Sequence, residues 1–403
     1  MAKIDAVALG RRAYARDVLK TRARPALLEL KVRKMLASPF AFLRGAPVAF
    51  YEALEQAPDL AAGPSGEGVI VGDSHLENFG AYRSRALPGD KAKRQGRVVF
   101  DVNDFDDACV GPHRFDLVRL ATSLLLAARV HGAPGDATLQ LLARLFEGYA
   151  RGAFEGVVDA PPACVRRLVA RAEARSEREF LGSRTTGRRG RRRLALGARY
   201  LPLEAKVREA LPAALARYAA GLSPESRPRP EELELLDAAF RVAGNGSLGC
   251  LRVAVLVRGR DDGGWLFDLK EESRAPSPRR LAGVPDVSPA ERVYTAYRAC
   301  VERVPSRLGT TTLLGRTMLA RRLTPQEDKL DVVALRPREL HELVPHVGAL
   351  LGRAHARGAT RPGQPHTRAE REAMAERASV LAGLHETAFL AYAARAAAAM
   401  RAR

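Results

Sequence analysis

Apolar positions through residues 22–43, RARPALLELKVRKMLASPFAFL, recur at three- and four-residue spacing. That is the period of a helix with one buried face, and residues 1–60 read as mostly helical. The pattern then changes. GVIV at 68–71 is a short apolar run with no helical spacing and predicts a strand. A turn-rich stretch, SRALPGDKAKRQG, separates it from a second predicted strand at 97–101, RVVFD. Residues 112–131 return to helical spacing through Phe115, Leu117, Val118, Leu120, Leu124 and Leu125. Residues 137–218 continue as helices, broken by Pro161-Pro162 and by the basic run GRRGRRR at 187–193. SPESRPRPEE at 223–232 reads as a linker. Beyond it, CLRVAVLVRGRDDGGWLFDLK at 250–270 predicts a β-hairpin around a DDGG turn. A helix at 288–303, strand-like TTTLLGRTMLARRL, a helix at 338–357 and a helical tail at 366–403 follow. There is no internal repeat. The pattern implies an α+β chain in four parts: an N-terminal helical segment (1–60), a large unit (61–235), a small β-rich unit (236–335) and C-terminal helices (336–403) packing on the large unit.

Composition changes this picture little. The chain has 403 residues and a net charge of +20, but only nine of its 66 basic residues are lysine. Arginine and alanine are abundant together, a compositional habit, so the charge is discounted as evidence of function. It still makes the surface attractive to anions, nucleic acid included. Cys109, Cys164, Cys250 and Cys300 lie far apart with no C-x-x-C pair, which supports neither a zinc site nor a redox motif. The first 20 residues do not read as a secretory signal. No apolar run approaches the ~20 residues of a membrane span, and a cytoplasmic protein is expected.

Candidate chemistry concentrates behind the two early strands. In GDSHLENFG (72–80), Asp73 and Asn78 stand in the spacing D-x-x-x-x-N, and Asp104 follows in NDFDD after the second strand. A carboxylate that orients a hydroxyl, with an amide oxygen and a second carboxylate that hold Mg²⁺, suits phosphoryl transfer. Asp and Asn after strands are also ordinary turn chemistry; the two motifs together favour the metal–phosphate reading. The first stretch resembles G-D-x-H-x-x-N of the aminoglycoside-phosphotransferase branch of kinase-like folds. DFDDACVGPHRFDL (104–117) resembles that branch's continuation, except that Gly111 runs directly into Pro112. The resemblance makes Asp104, rather than Asp101 or Asp106, the metal ligand, and gives Asp116 a structural role toward the loop at 73–78. His75 is expected to pack within its loop rather than to bind metal.

VAGNGSLG at 242–249 contains G-x-G-x-x-G at Gly244, Gly246 and Gly249. A dinucleotide site would place a helix after it; here a strand pattern follows, as in a kinase-type loop that covers ATP phosphates, with Ser247 inside it. Such a loop requires a lysine on the next strand pair, and Lys270 stands there. Its carboxylate partner stays open among Glu291, Glu302, Glu271 and Glu272. Arg44 is a further phosphate contact or a helix-end charge.

The parts stand in permuted order, the glycine loop and lysine after the acidic loops. The chain as a whole resembles the bacterial family called domain of unknown function 2252. The carrying segments are RKMLASPFAFLRG (33–45), GDSHLENFG, FDVNDFDD, FDLVRLATSLLLAAR, RVAGNGSLG, LFDLKEE and GRAHARG (352–358). Thr295 departs from the glutamate usual in that family's later helix. The expectation is a protein-kinase-like two-lobed fold in circularly permuted order. Its helix-rich large lobe would carry Asp73 as base and Asn78 and Asp104 as metal ligands. Its small β-rich lobe would hold ATP through Lys270 and residues 244–249, for transfer to an unidentified hydroxyl acceptor. The alternatives are a nucleotide-binding pseudokinase or scaffold and, ranked lower, a nucleic-acid binder. A metallophosphoesterase needs Gly-Asn-His-Glu/Asp, and the one Gly-Asn pair, at 244–245, is followed by glycine.

Overall fold

The computed structural model describes residues 4–87, 96–188, 191–244, 246, 248–260, 263–277, 281, 283 and 286–401. It is a mixed α/β structure. Near the N-terminus, Asp5 caps the helix Ala6–Thr21, and Ser38 followed by Pro39 starts the helix Pro39–Gly45. With Ala26–Met35 and Pro47–Gln56 these helices pack against the C-terminal helix Arg368–Arg401, through contacts such as Tyr14 and Phe42 on Tyr392. The same core takes in the helices His113–Val130, Gly135–Ala150 and Pro337–Gly358. The two sequence ends are therefore joined into one helical body.

Two small antiparallel sheets lie on this body. Strand Glu67–Ile70 is flanked by Cys109–Pro112 and by Ala359–Arg361, so the end of the chain closes the edge of an early strand. Phe79–Arg83 pairs with Val98–Val102 and, on its other side, with Asp328–Lys329.

The third sheet has six antiparallel strands in the order Gly309–Leu313, Arg316–Leu323, Trp265–Glu271, Arg252–Val257, Leu235–Arg241, Tyr200–Leu201. Its central strands read as continuous apolar runs because both faces are covered. Val253, Val255 and Val257 pack on Leu211, Leu215 and Tyr218 of the helix Ala205–Gly221. Ala254 and Leu256 face the opposite way, onto Leu181, Leu194 and Tyr200. The two-residue period puts Lys270 on the face of Leu266 and Asp268 rather than that of Phe267 and Leu269. The helix Ala205–Gly221, which the sequence groups with the large unit before residue 236, packs on this sheet.

Residues 223–232 are not a free linker. Pro230 starts a 3-10 turn, Pro230–Leu233, and Glu232 is buried, accepting from the Arg229 backbone N–H at 2.9 Å. The turn fixes the chain as it enters the strand Leu235–Arg241. The predicted hairpin forms, with Lys270 opposite Arg252, although Asp261 and Asp262 of its turn lie outside the described residues. Residues 324–327 carry the chain from the six-stranded sheet to the strand Asp328–Lys329 of the smaller one. Among the described residues no helix is long and apolar enough to cross a membrane.

Candidate functional site

The strand Glu67–Ile70 runs into Gly72, whose φ is +81°. A Cβ there would overlap the Asp107 carbonyl, so only glycine lets the loop at 73–78 lie on the loop at 104–107. Asp116, fully buried, accepts from the backbone N–H of Val71 (2.6 Å) and of Gly72 (2.9 Å). Its Oδ2 also lies 3.0 Å from His355 Nε2, and His355 Nδ1 lies 3.0 Å from the Tyr149 hydroxyl. Asp116 thus has the structural position that the sequence gives it.

Asp73 projects from this anchored turn. Its Oδ1 accepts from both Nε (2.9 Å) and Nη2 of Arg119, which is wholly buried and also donates to the Leu43 carbonyl at 2.9 Å. Burial raises the Asp73 carboxyl to about 8 against the pull of Arg119, with Asp107 adding repulsion. His75 Nδ1 accepts from the Glu77 N–H at 3.1 Å, and burial holds its imidazole neutral. It packs within its loop, as expected. The Asn78 amide N–H donates to the Asp73 carbonyl at 2.7 Å, which turns Oδ1 away. That oxygen is buried without a hydrogen-bond partner among the described residues.

The second acidic loop is built differently from the sequence expectation in one respect. Lys270 makes its closest ion pair with Asp106, and a second with Glu272 at 3.3 Å. Glu291 instead stands in the first turn of the helix Pro289–Cys300, where its backbone N–H donates to the Ser288 hydroxyl at 3.2 Å and its carboxylate accepts from the Thr310 hydroxyl at 3.1 Å. Glu302 is exposed, and Glu271 pairs with Arg316. Of the four open candidates Glu272 is therefore the partner, joined by Asp106. Burial works to raise Asp106, but Lys270 overrides it and holds that carboxyl at about 2. Asp104 Oδ1 lies 3.4 Å from the Asp106 N–H and Oδ2 lies 4.0 Å from Lys329. Its carboxyl is raised by burial and by Asp106. Asp101 pairs with Arg353 at 2.7 Å, outside the cavity lining.

Thr295 is exposed on the helix Pro289–Cys300. Arg292 of that helix is buried and donates to the carbonyls of Asp106 (2.8 Å), Ser273 (2.9 Å) and Ala108. It ties the acidic loop to the end of the lysine strand through backbone, a link the sequence reading missed, as it missed Arg119. The signal for Arg119 was a single charge within VRLATSLLLA, a helix apolar on every side.

The glycine loop bridges two strands, and no helix follows Gly249. Gly249 has φ +100° and faces the Lys20 carbonyl so closely that a Cβ would overlap it. The Gly244 carbonyl accepts from Lys34 at 2.9 Å, and the Gly246 carbonyl from Lys20 at 2.7 Å. Ser247 lies outside the described residues. Arg44 ends its helix and pairs with Glu77 at 2.5 Å.

One cavity of about 920 Å³ collects these groups: Asp73, Asn78, Asp104, Gly244, Gly246 and Lys270 all line it. Among the described residues no three His, Cys, Asp or Glu side chains cluster as a self-sufficient metal cage. Mg²⁺ does not require one, because it is commonly held by one or two protein oxygens with substrate phosphates and water.

Fold and site together define a mixed α/β protein in which acidic loops and a lysine-bearing antiparallel sheet line one cavity. Residues 22–402 match the family described as an uncharacterized protein conserved in bacteria, DUF2252, and the chain belongs to that family. No curated protein matches the chain. No solved structure matches it either.

Proposed function

We propose that the protein is an ATP- and Mg²⁺-dependent phosphotransferase, with the two lobes of a kinase-like fold in circularly permuted order. The observation that carries this reading is the buried, unpartnered Oδ1 of Asn78, which shares a cavity with Asp104 and with the only lysine of the central sheet strand. An amide oxygen aimed away from its hydrogen-bonding N–H side is a ligand for a hard cation. Mg²⁺-ATP would supply the phosphoryl group and the charge neutralisation that its transfer needs.

Asn78 and Asp104 would hold the metal. Lys270 donates to Asp106 and lies 3.3 Å from Glu272 without a hydrogen bond to it, so its ammonium keeps donors for a phosphate oxygen. Residues 244–249 would cover the phosphates with backbone N–H groups. Asp73, fixed by Arg119 and holding a proton with affinity near neutrality, would orient the acceptor hydroxyl and take its proton as oxygen bonds to phosphorus and ADP leaves. In this reading residues 324–327 are the hinge between lobes.

Calorimetry with a non-hydrolysable ATP analogue tests the site. Binding should require Mg²⁺ and weaken at least about tenfold in Lys270→Met. Affinity that ignores both magnesium and that substitution would remove the reading. Nucleotide binding together with no turnover on any acceptor would favour the pseudokinase alternative.

A further inference from the structure

Lysine is scarce in this chain, yet five of the six lysines among the described residues line the cavity: Lys20, Lys31, Lys34, Lys270 and Lys329. Among the described residues only seven arginines line it, although the sequence holds 57. Where the chain could use either cation it uses arginine; the compact, strongly hydrated ammonium is gathered here.

Lys270 and Lys329 lie beside Asp106 and Asp104. The other three come from the N-terminal helices and meet the glycine loop from its carbonyl side. Lys34 donates to Gly244, while Lys20 (2.7 Å) and Lys31 (3.3 Å) both donate to Gly246. Lys31 is buried and paired with Asp17 at 2.8 Å. Among the described residues no carboxylate forms an ion pair with Lys20 or Lys34; Asp107 alone feels the Lys20 charge from a distance, and the direct contacts of both ammonium groups are backbone carbonyls. Burial depresses the Lys34 ammonium and Arg44 depresses it further, the condition of a cation without its anion.

These amines meet the carbonyl oxygens of the glycine loop, whereas nucleotide phosphates would take its backbone N–H groups. The next helix, Pro39–Gly45, carries Leu43 and Arg44, which contact Arg119 and Glu77 beside Asp73. The lysines therefore line the same cavity as the carboxylate that would take the acceptor's proton.

We propose that Lys20 and Lys34, backed by Lys31, form an anion subsite for the phosphoryl acceptor, which is a small hydroxyl compound already carrying a phosphate group. This rests on the phosphotransferase reading. The subsite would seat the acceptor's phosphate and leave its hydroxyl toward Asp73.

Inorganic phosphate is the probe, titrated by calorimetry into protein with and without saturating Mg²⁺ and the ATP analogue. Wild type should bind one phosphate in the presence of the nucleotide. The double variant K20M/K34M should bind it at least about tenfold more weakly while holding the nucleotide within about twofold, and K20R/K34R should retain phosphate. Retention by the arginine pair shows that charge, rather than a folding defect, explains the loss. Absence of phosphate binding in the wild type would overturn the proposal, as would equal binding in K20M/K34M. Loss of nucleotide in step with phosphate would also overturn it, because the lysines would then serve the nucleotide. Lysine-dependent phosphate binding in a protein that binds no nucleotide would uphold the anion site and end the phosphotransferase reading.

Discussion

Replacing Asp116 by alanine isolates the contribution of the hidden anchor beneath Asp73. The carboxylate accepts from two backbone N–H groups and lies within hydrogen-bond reach of His355, all within buried surroundings. Alanine leaves those three donors unpaired, and an unsatisfied buried donor costs about 1–3 kcal/mol. A water entering the vacated space can satisfy part of the set, so the expected loss is about 3–6 kcal/mol rather than the full sum. Asparagine keeps one acceptor oxygen but turns an N–H₂ group toward donors, and should cost about 2–3 kcal/mol. Tyr149→Phe, which removes only the outermost link, should cost about 0.5–1.5 kcal/mol. Urea unfolding with unchanged m-values reads this series directly. An Asp116→Ala variant within about 0.5 kcal/mol of wild type would refute the account, because it would show that the turn at Gly72 holds itself.

Three further outcomes follow from the site and its supports. Asp73→Asn should keep Mg²⁺–nucleotide binding and abolish turnover, whereas Asp104→Asn should impair both; wild-type turnover in Asp73→Asn, measured by ADP release, would sink that division of labour. Gly249→Ala forces a left-handed backbone onto alanine and drives its methyl into the Lys20 carbonyl, so it should lower stability by more than about 2 kcal/mol; a thermal midpoint equal to wild type would contradict the close approach. Burial pushes the His385 imidazole from 6.5 down to about 4, so between those values the unfolded chain binds the extra proton and stability falls as pH drops. His385→Leu should flatten that decline between pH 6.5 and 4, and an unchanged slope in denaturation midpoints would show that other groups carry it.

Much of the scaffold was legible because local pattern decided it. The period shift at residue 250 announced the central hairpin, and the strand pattern after Gly249 separated this glycine loop from a helix-opening one. The role of Asp116 was legible only through the resemblance of residues 104–117 to the aminoglycoside-phosphotransferase motif. The partners of Lys270 were not, because Asp106 lies 164 residues away and reaches the lysine only through tertiary packing. The lysines at the glycine loop lie 210 to 226 residues from the carbonyls they meet. Residues 223–232 misled through composition: proline and charge signal a linker, but the same proline starts a 3-10 turn that buries Glu232. Arg292 escaped notice because it acts on backbone carbonyls, which carry no sequence signature.

The link between Asp116 and His355 spans 239 residues, and the strand Ala359–Arg361 closes the edge of Glu67–Ile70 from farther still. A ribosome adding roughly 5–20 residues per second exposes the acidic loops for about 10–50 s before the segment that completes them has been made. Through that interval the nascent chain carries an open strand edge and a half-built polar turn. The site therefore matures only after residues 355–361 have been made, and products truncated before them carry every acidic motif without the support that positions them.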